Sequence, residues 1–286
     1  MKMNYGYFLG CVMPAKMPWA EKATFLVAKH LNLPFDYLKG TLCCVRPGVW
    51  KTINPDWWLL LTSQNLALAE KQGVSIVDSC NGCYISHYEC LEEIKNNPQK
   101  LLMVNNYLEK IGLKIELKVD VKHFLEILYE NLDKIKKNIV RPIKIKAIRH
   151  LGCHGRKHSE KLPNYFDEII KSLGIEIIDT PYDRMCCGLL LYLSDPYTSV
   201  YRRAGLKLEY IEKSDADCLI FICSGCYDQF DRVVRIYKDE KGIEFKKPII
   251  HLSELLALSF GYKPEDFGMM YYRPISPINL INKVIS

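Results

Sequence analysis

Twelve cysteines stand in this 286-residue chain, and ten of them fall into two sets of five with nearly the same internal spacing. The first set is Cys11, the adjacent pair Cys43-Cys44, and Cys80-Asn81-Gly82-Cys83. The second is Cys153, Cys186-Cys187 and Cys223-Ser224-Gly225-Cys226, displaced from the first by 142 or 143 positions. Four chemistries compete for them. Structural disulfides rarely persist in a cytoplasmic chain, and adjacent cysteines bridge only with strain. A thioredoxin-like dithiol uses one Cys-x-x-Cys and leaves the vicinal pairs unexplained. Zinc takes four ligands in a closed tetrahedron, so five cysteines per set leave one over, with the two Cys-x-x-Cys pairs as its ligands. Iron–sulfur clusters take several thiolates and fit the pattern best. An ordinary four-iron cube needs four cysteines. Five, two of them adjacent, point to an unusual cluster or to a cube with one cysteine in reserve. Gly10, Gly82, Gly152, Gly188 and Gly225 lie beside cysteines. They would let the backbone approach inorganic sulfur, or they simply make turns.

Composition sets the frame for this chemistry. Hydrophobic residues are 49% and charged residues 25% of the chain, which suits a globular protein with a sizeable core. The formal charge of +6 would favour small anions or acidic partners, but reads most simply as a solvated lysine-rich surface. No helix or loop gathers arginine, lysine and aromatics on one face, so nucleic acid is not an expected partner. The apolar run near the start is interrupted by Pro14 and Lys16 and is too short for a secretory signal. No apolar segment approaches the ~20 residues of a membrane helix. A cytoplasmic location without membrane insertion is expected.

The elements that must position the cysteines alternate in type. Strands are expected over 5–9, 74–78, 143–151, 175–178, 217–222 and 249–251, with a short strand or turn over 34–37. Helices are expected over 18–31, 54–72, 162–173, 195–213 and 253–260. Asn54-Pro55 supplies a cap and a first-turn proline, and Gly73 a stop. Residues 91–139 read as a helical, lysine-rich linker, with a helical stripe over 121–135. The tail from residue 269, with Tyr271, Tyr272, Pro274 and Pro277, reads as an arm for a partner. Phe8-Leu9-Gly10-Cys11 parallels His150-Leu151-Gly152-Cys153. The two Cys-x-Gly-Cys motifs likewise follow similar strands. The expected fold is α/β, with two pseudo-symmetric Rossmann-like halves, 1–140 and 141–286. Each is a small parallel sheet flanked by helices, with cysteines at the strand ends, where such sheets bind ligands. The two cysteine-bearing edges should face one another.

The double motif, from Cys11 to Cys83 and from Cys153 to Cys226, resembles the CCG-domain repeat found in the B subunit of heterodisulfide reductase. The resemblance covers nearly the whole chain, including Asn65-Leu66-Ala67-Leu68-Ala69-Glu70 and His251-Leu252-Ser253-Glu254-Leu255-Leu256. It implies two noncubane [4Fe-4S] clusters, each a fused pair of smaller units held by five cysteines. These would be Cys11, Cys43, Cys44, Cys80 and Cys83, and Cys153, Cys186, Cys187, Cys223 and Cys226. It implies reduction of the coenzyme M–coenzyme B disulfide between the clusters. Electrons would come from the complex's flavin-containing A subunit through its iron–sulfur C subunit. Disulfide cleavage takes two electrons, and two clusters can each deliver one.

The chain also departs from the pattern. The first vicinal pair is followed by Val45 instead of glycine, and Leu189-Leu190-Leu191 follows the second Cys-Cys-Gly. Those changes point to a reshaped substrate cleft. They leave room for a relative acting on another sulfur compound, as in sulfur-oxidising complexes, or for a quinone-linked electron-transfer subunit of a respiratory dehydrogenase. His154, beside Cys153, is the candidate proton donor to a leaving thiolate, against a structural role. Arg46, Lys51, Arg156 and Arg184 are candidates for binding sulfonate or phosphate, against a solvated surface. Cys90 and Cys218 read as spare and core cysteines, and His87, Trp57 and Trp58 as ordinary helix residues.

Overall fold

The structure is a computed structural model describing residues 4–271 and 273–285, and for residues 157 and 158 the backbone alone. Strands β1 (Tyr5–Phe8), β2 (Phe35–Tyr37), β3 (Ser75–Asp78) and β4 (Val121–His123) form a parallel sheet in the order β2-β1-β3-β4. Strands β5 (Lys146–His150), β6 (Glu176–Ile177), β7 (Cys218–Phe221) and β8 (Ile249–His251) form a second in the order β6-β5-β7-β8. The registers match as well. Phe8 stands opposite Asp78, and His150 opposite Phe221. Strands β3 and β7 are buried along their whole length, as central strands of a covered parallel sheet must be. The α/β class, the two similar halves and the cysteines near strand ends are therefore all present.

Local sequence explains most boundaries. Helix Pro55–Gln72 starts where the Asn54 side chain accepts from the Trp57 N–H at 2.9 Å, and ends at Gly73 in the left-handed region. Three segments differ from expectation. Residues 121–123 are a strand, with Val121 opposite Ile76 and His123 opposite Asp78. Three residues are too few to show a two-residue period, so the helical stripe beyond them masked it. Strand β4 joins the first sheet and helix Pro98–Leu108 packs on helix Pro55–Gln72, so residues 98–123 are built into the first half. The expected 195–213 helix is broken into Pro196–Ser199, a π-turn at Val200–Ala204, and Gly205–Lys213. Ser199 donates from Oγ to the Gly188 carbonyl at 2.7 Å, tying this widened turn to the loop after Cys187. The tail folds onto its own chain: Met269, Ile275 and helix Ile278–Ile285 bury apolar side chains in the common core.

The halves interlock through swapped helices. Helix Pro18–His30 packs against Leu252–Ser259 of the second half, where Thr24 Oγ1 and Ser253 Oγ lie 2.9 Å apart. Helix Leu162–Ser172 packs in turn against Phe124–Glu130 of the first half, and the rings of Tyr129 and Tyr165 stack at 3.8 Å. One continuous apolar core results, and the separation of the two strand edges is set by this crossed packing.

A buried ion pair closes the structure. Arg273 of the tail meets Glu254, whose other contact is the His251 backbone N–H at 2.9 Å, and the guanidinium lies 4.4 Å over the Trp19 ring. Both side chains are at most 2% exposed. Removing one partner strands a charge in the core, which costs about 3–5 kcal/mol. Arg273→Ala should therefore lower unfolding stability by about that amount in denaturant titration, and a loss below about 1 kcal/mol would refute a structural role for the pair.

Candidate metal centre

Each sheet delivers cysteines at the carboxyl ends of its two central strands. β1 and β5 lead through Gly10 and Gly152 to Cys11 and Cys153. β3 and β7 lead to Cys80 and Cys223, which cap helices Asn81–Lys95 and Ser224–Lys241, and Cys83 and Cys226 follow within the first turn. A helix N-terminus favours a thiolate there. The vicinal pairs arrive on loops, Cys43-Cys44 ahead of helix Pro47–Ile53 and Cys186-Cys187 ahead of the Leu191–Leu193 turn.

The sulfurs gather into two adjoining nests. In the first, the Cys44 thiol meets those of Cys43 and Cys83, and Cys83 also meets Cys80. In the second, Cys153 and Cys186 lie 3.5 Å apart, Cys187 meets Cys186 and Cys226, and Cys226 meets Cys223. The nests touch at their equivalent members: Cys80 Sγ and Cys223 Sγ are 3.8 Å apart. All twelve cysteines are free thiols. Cys11 and Cys43 are exposed, Cys153 and Cys186 half-buried, and the other six nest cysteines buried.

Such crowding splits the acidities. The thiols of Cys153 and Cys187 pull Cys186 down to about 2, and that thiolate pushes Cys153 up. The Cys44 thiol draws Cys43 down to about 5, while Cys43 pushes Cys44 well up. Two adjacent buried thiolates repel, so one ionises at its neighbour's expense. Arg46 lies among them. Burial pulls its pKa down, but the thiolates of Cys80, Cys223, Cys83 and Cys44 push it up on balance. It fits because Gly82 and Gly225 lack side chains: a Cβ there would stand 2.9 Å from Arg46 Nε and 3.0 Å from Nη2. Of the five glycines beside cysteines, Gly10 and Gly152 lie against cysteine sulfur: a Cβ there would stand 3.4 Å from Cys83 Sγ and 3.2 Å from Cys226 Sγ. Were all ten thiols ionised, one arginine between the nests would leave them short of positive charge. That donor set, all sulfur and crowded, fits iron–sulfur groups.

A cleft of about 410 Å³ opens over the second nest at the seam of the halves. Its floor holds all five cysteines of the second set and none of the first. Arg46, Asn81 and Gly82 reach it from the first half. Arg184, Arg203 and His154 line it from the second, and Leu189, Leu190 and Leu191 form an apolar wall.

The cysteine-rich domain family designated CCG matches residues 5–86 and 147–231, one copy per half. The B subunit of a ferredoxin/F420H2-dependent CoB–CoM heterodisulfide reductase from Methanosarcina acetivorans is 33% identical over 276 residues, covering 92% of this chain and 91% of that protein. This chain belongs to the family of heterodisulfide reductase B subunits. The 8-methylmenaquinol:fumarate reductase membrane anchor subunit of Wolinella succinogenes is 24% identical over 281 residues, covering 94% of this chain and 96% of that one. A crystal structure of a hypothetical protein from Helicobacter pylori shares the fold, with a TM-score of 0.74 at 16% identity. That match covers 96% of this chain, which spans 53% of the other.

The departures from the CCG pattern have physical consequences. Val45 stands where the second repeat has Gly188, and it keeps a left-handed backbone, φ 46° against 86° for Gly188. A β-branched residue there is strained. Ser86 anchors the turn by donating from Oγ to the Cys44 and Val45 carbonyls. Leu190 crosses to the first half, where a Cβ on Gly48 would stand 2.6 Å from its Cδ1. The leucine run thus roofs the cleft and joins the halves.

The other residues singled out in the sequence divide clearly. His154 lines the cleft, as do Arg46 and Arg184. Arg156 lines a neighbouring cavity and donates to the Asp183 carbonyl. Lys51 is instead paired with Glu89 and Glu93 and lies 4.2 Å over the Trp58 ring, so it serves structure. Cys90 and Cys218 are fully buried away from the nests' contacts. Trp58 is core and Trp57 is exposed, but His87 is more than a plain helix residue: its Nδ1 lies 3.0 Å from buried Asp78 Oδ2.

Sequence reasoning missed the supporting polar residues. His123 and His251 end β4 and β8 and cap the next helix, each accepting a backbone N–H at Nδ1. Nε2 therefore carries the proton. In His123 it donates to Asn81 Oδ1 at 2.8 Å, and the Asn81 amide donates across the seam to the Leu151 carbonyl. Burial holds His123 at about 3 and His251 at about 4, so both stay neutral. The repeated His-x-x-Glu, His123 with Glu126 and His251 with Glu254, was the available signal. His150 was visible only as the residue matched to Phe8 in the repeat, and Arg203 and Lys207 had no signal.

The strain at Val45 gives a paired expectation. Val45→Gly should change stability by no more than about 1 kcal/mol, because relief of φ offsets lost packing and added chain entropy. Gly188→Val should cost more than about 3 kcal/mol, because its Cβ would lie 3.1 Å from both Arg203 Cβ and Ser199 Oγ. Equal effects in thermal unfolding would refute both the strain at Val45 and the crowding at Gly188.

Proposed function

We propose that this chain is the catalytic subunit of a heterodisulfide-reductase-type complex and reduces a small anionic disulfide, of the coenzyme M–coenzyme B kind, to two thiols. The observation that carries the reading is the cleft at the seam, floored by cysteines and walled by arginines. The ten nest cysteines would hold two noncubane [4Fe-4S] clusters, five cysteines to each. Such clusters, when bound, supply the two electrons singly. In balance, RS–SR′ takes two electrons and two protons and leaves RSH and R′SH.

Arg46, Arg184 and Arg203 hold the anionic ends of the substrate, where a guanidinium fork matches sulfonate, carboxylate or phosphate. His154, beside Cys153, gives a proton to a departing thiolate. Leu189, Leu190 and Leu191 keep water from the sulfur atoms. The full name of the Methanosarcina relative favours electron supply from ferredoxin or F420H2, here through a flavin-containing A subunit and an iron–sulfur C subunit in the cytoplasm. Among the described residues no helix is long and apolar enough to cross a membrane.

A second reading, a quinone-linked electron-transfer subunit, has one observation in its favour besides the Wolinella relative. Leu42, Trp50, Ile53 and Trp57 are exposed around Cys43, an apolar surface suited to a partner.

Anaerobic purification should yield a coloured chain with iron and sulfide in both nests and no zinc. Cys187→Ala should remove one cluster's spectral signal and leave the other. With a reduced viologen dye as donor, the assembled complex should release two thiols per coenzyme M–coenzyme B disulfide. Arg203→Ala should raise KM about tenfold with kcat little changed. His154→Gln should lower kcat about 100-fold. Iron-free or zinc-loaded protein would overturn the reading, and full clusters with no disulfide turnover would favour the electron-transfer alternative.

A further inference from the structure

The two nests are built alike and surrounded differently. His150 ends β5 three positions before Cys153, and Phe8 holds the same place before Cys11. His150 is fully buried, and one of its ring nitrogens lies within 4.8 Å of the sulfurs of both Cys187 and Cys226. Lys207, only 2% exposed, places Nζ 3.1 Å from His150 Nδ1. An ammonium only donates, so Nδ1 accepts and the ring proton sits on Nε2. That Nε2 is buried with no hydrogen-bond partner. A buried donor left without an acceptor is costly, so the position calls for an acceptor that the described residues do not supply.

Among the described residues the first nest has no such imidazole, and the cation it meets, Arg46, is shared with Cys223 of the second nest. Phe8 packs edge-on against His87 at 4.6 Å. The Leu42 backbone fixes the Asn65 amide at both ends, so Asn65 Nδ2 donates to His87 Nε2 at 3.1 Å. The His87 proton then lies on Nδ1 and faces Asp78. A carboxyl group stands here, two positions before Cys80, where Phe221 stands before Cys223.

We propose that Lys207 and His150 together raise the reduction potential of the group in the second nest above that of the first, so that electrons collect beside the cleft. The inference rests on the reading that both nests hold iron–sulfur clusters. Reduction adds negative charge, which a hydrogen-bond donor on sulfur and a nearby cation stabilise. Water at exposed Cys11 and Cys43 also favours charge, but diffusely and with screening. Lys207 acts within a dry interior, where Coulomb energies are several-fold larger. The arrangement gives electron flow a direction: electrons enter at the exposed nest and settle at the one that floors the cleft. Lys207 and His150 are positioning residues, since neither lines the cleft.

The test is a redox titration of the whole chain with both clusters present, followed by electron paramagnetic resonance, with Cys187→Ala assigning the second cluster. Wild-type protein should show two midpoints, the second cluster higher. Lys207→Met and His150→Phe should each lower the higher midpoint and leave the other in place. The expected change is at least tenfold in the electron-exchange constant, about 59 mV for one electron. Should His150→Phe lose its second cluster, Lys207→Met decides, since it keeps the imidazole. Coincident midpoints in wild type, or a Lys207→Met protein whose higher midpoint does not move, would overturn the ordering alone. Iron confined to one nest would overturn the two-cluster reading beneath it.

Discussion

Thiols packed sulfur to sulfur cannot all ionise, and the contact of Cys80 with Cys223 forces ten of them to share one seam. Each buried thiolate raises the cost of the next. The chain answers with what it has: helix N-termini behind Cys80 and Cys223, one arginine between the nests, and glycines where a side chain would strike sulfur or guanidinium. These measures leave the positive charge short of the sulfur count. Iron–sulfur groups would meet that deficit, in keeping with the cysteine-rich domain that each half matches.

Parallel sheets are what make the seam possible. All strands of a half end on the same side, so two of them can drop cysteines at one edge without a long loop. The helices that cross between halves then hold the two edges at a fixed distance. Helix Pro18–His30 on Leu252–Ser259 and helix Leu162–Ser172 on Phe124–Glu130 are equivalent contacts, so any slip of one half would have to break both. The Arg273–Glu254 pair adds the tail to the same joint, beside Trp19.

The cysteines were legible because their types and spacing repeat; the class of fold was legible because strands and helices alternate between them. The three-residue β4 was not, because Val121 and His123 offer no period and the apolar stripe continues past them into a helix. Nor was the tail, whose prolines and tyrosines suggest an arm although Ile275, Leu280, Ile281 and Val284 are buried. The cleft was half legible. His154, Arg46 and Arg184 adjoin cysteines in the chain, whereas Arg203 reaches the site from the widened turn at Val200–Ala204, far from any cysteine in sequence. Lysine on a helix predicts a solvated face, so nothing in the sequence sets Lys207 apart from the other lysines.

What the repeat cannot encode is direction. Two identical halves would make two identical nests, and electrons would have no reason to prefer either. The differences therefore matter most where the halves are otherwise superimposable. Val45 keeps the backbone of the glycine it stands for, so the first turn retains its shape at the expense of strain. Gly188 leaves room for Ser199 and Arg203, and the leucines that follow reach over Gly48 to roof one nest alone. Phe8 and His150 exchange an apolar ring for a polar one at matched positions, as Asp78 and Phe221 do in the opposite sense. Each change alters charge or access and leaves the backbone path alone, which is how a duplicated scaffold acquires a front and a back without losing the packing that holds its sulfurs together.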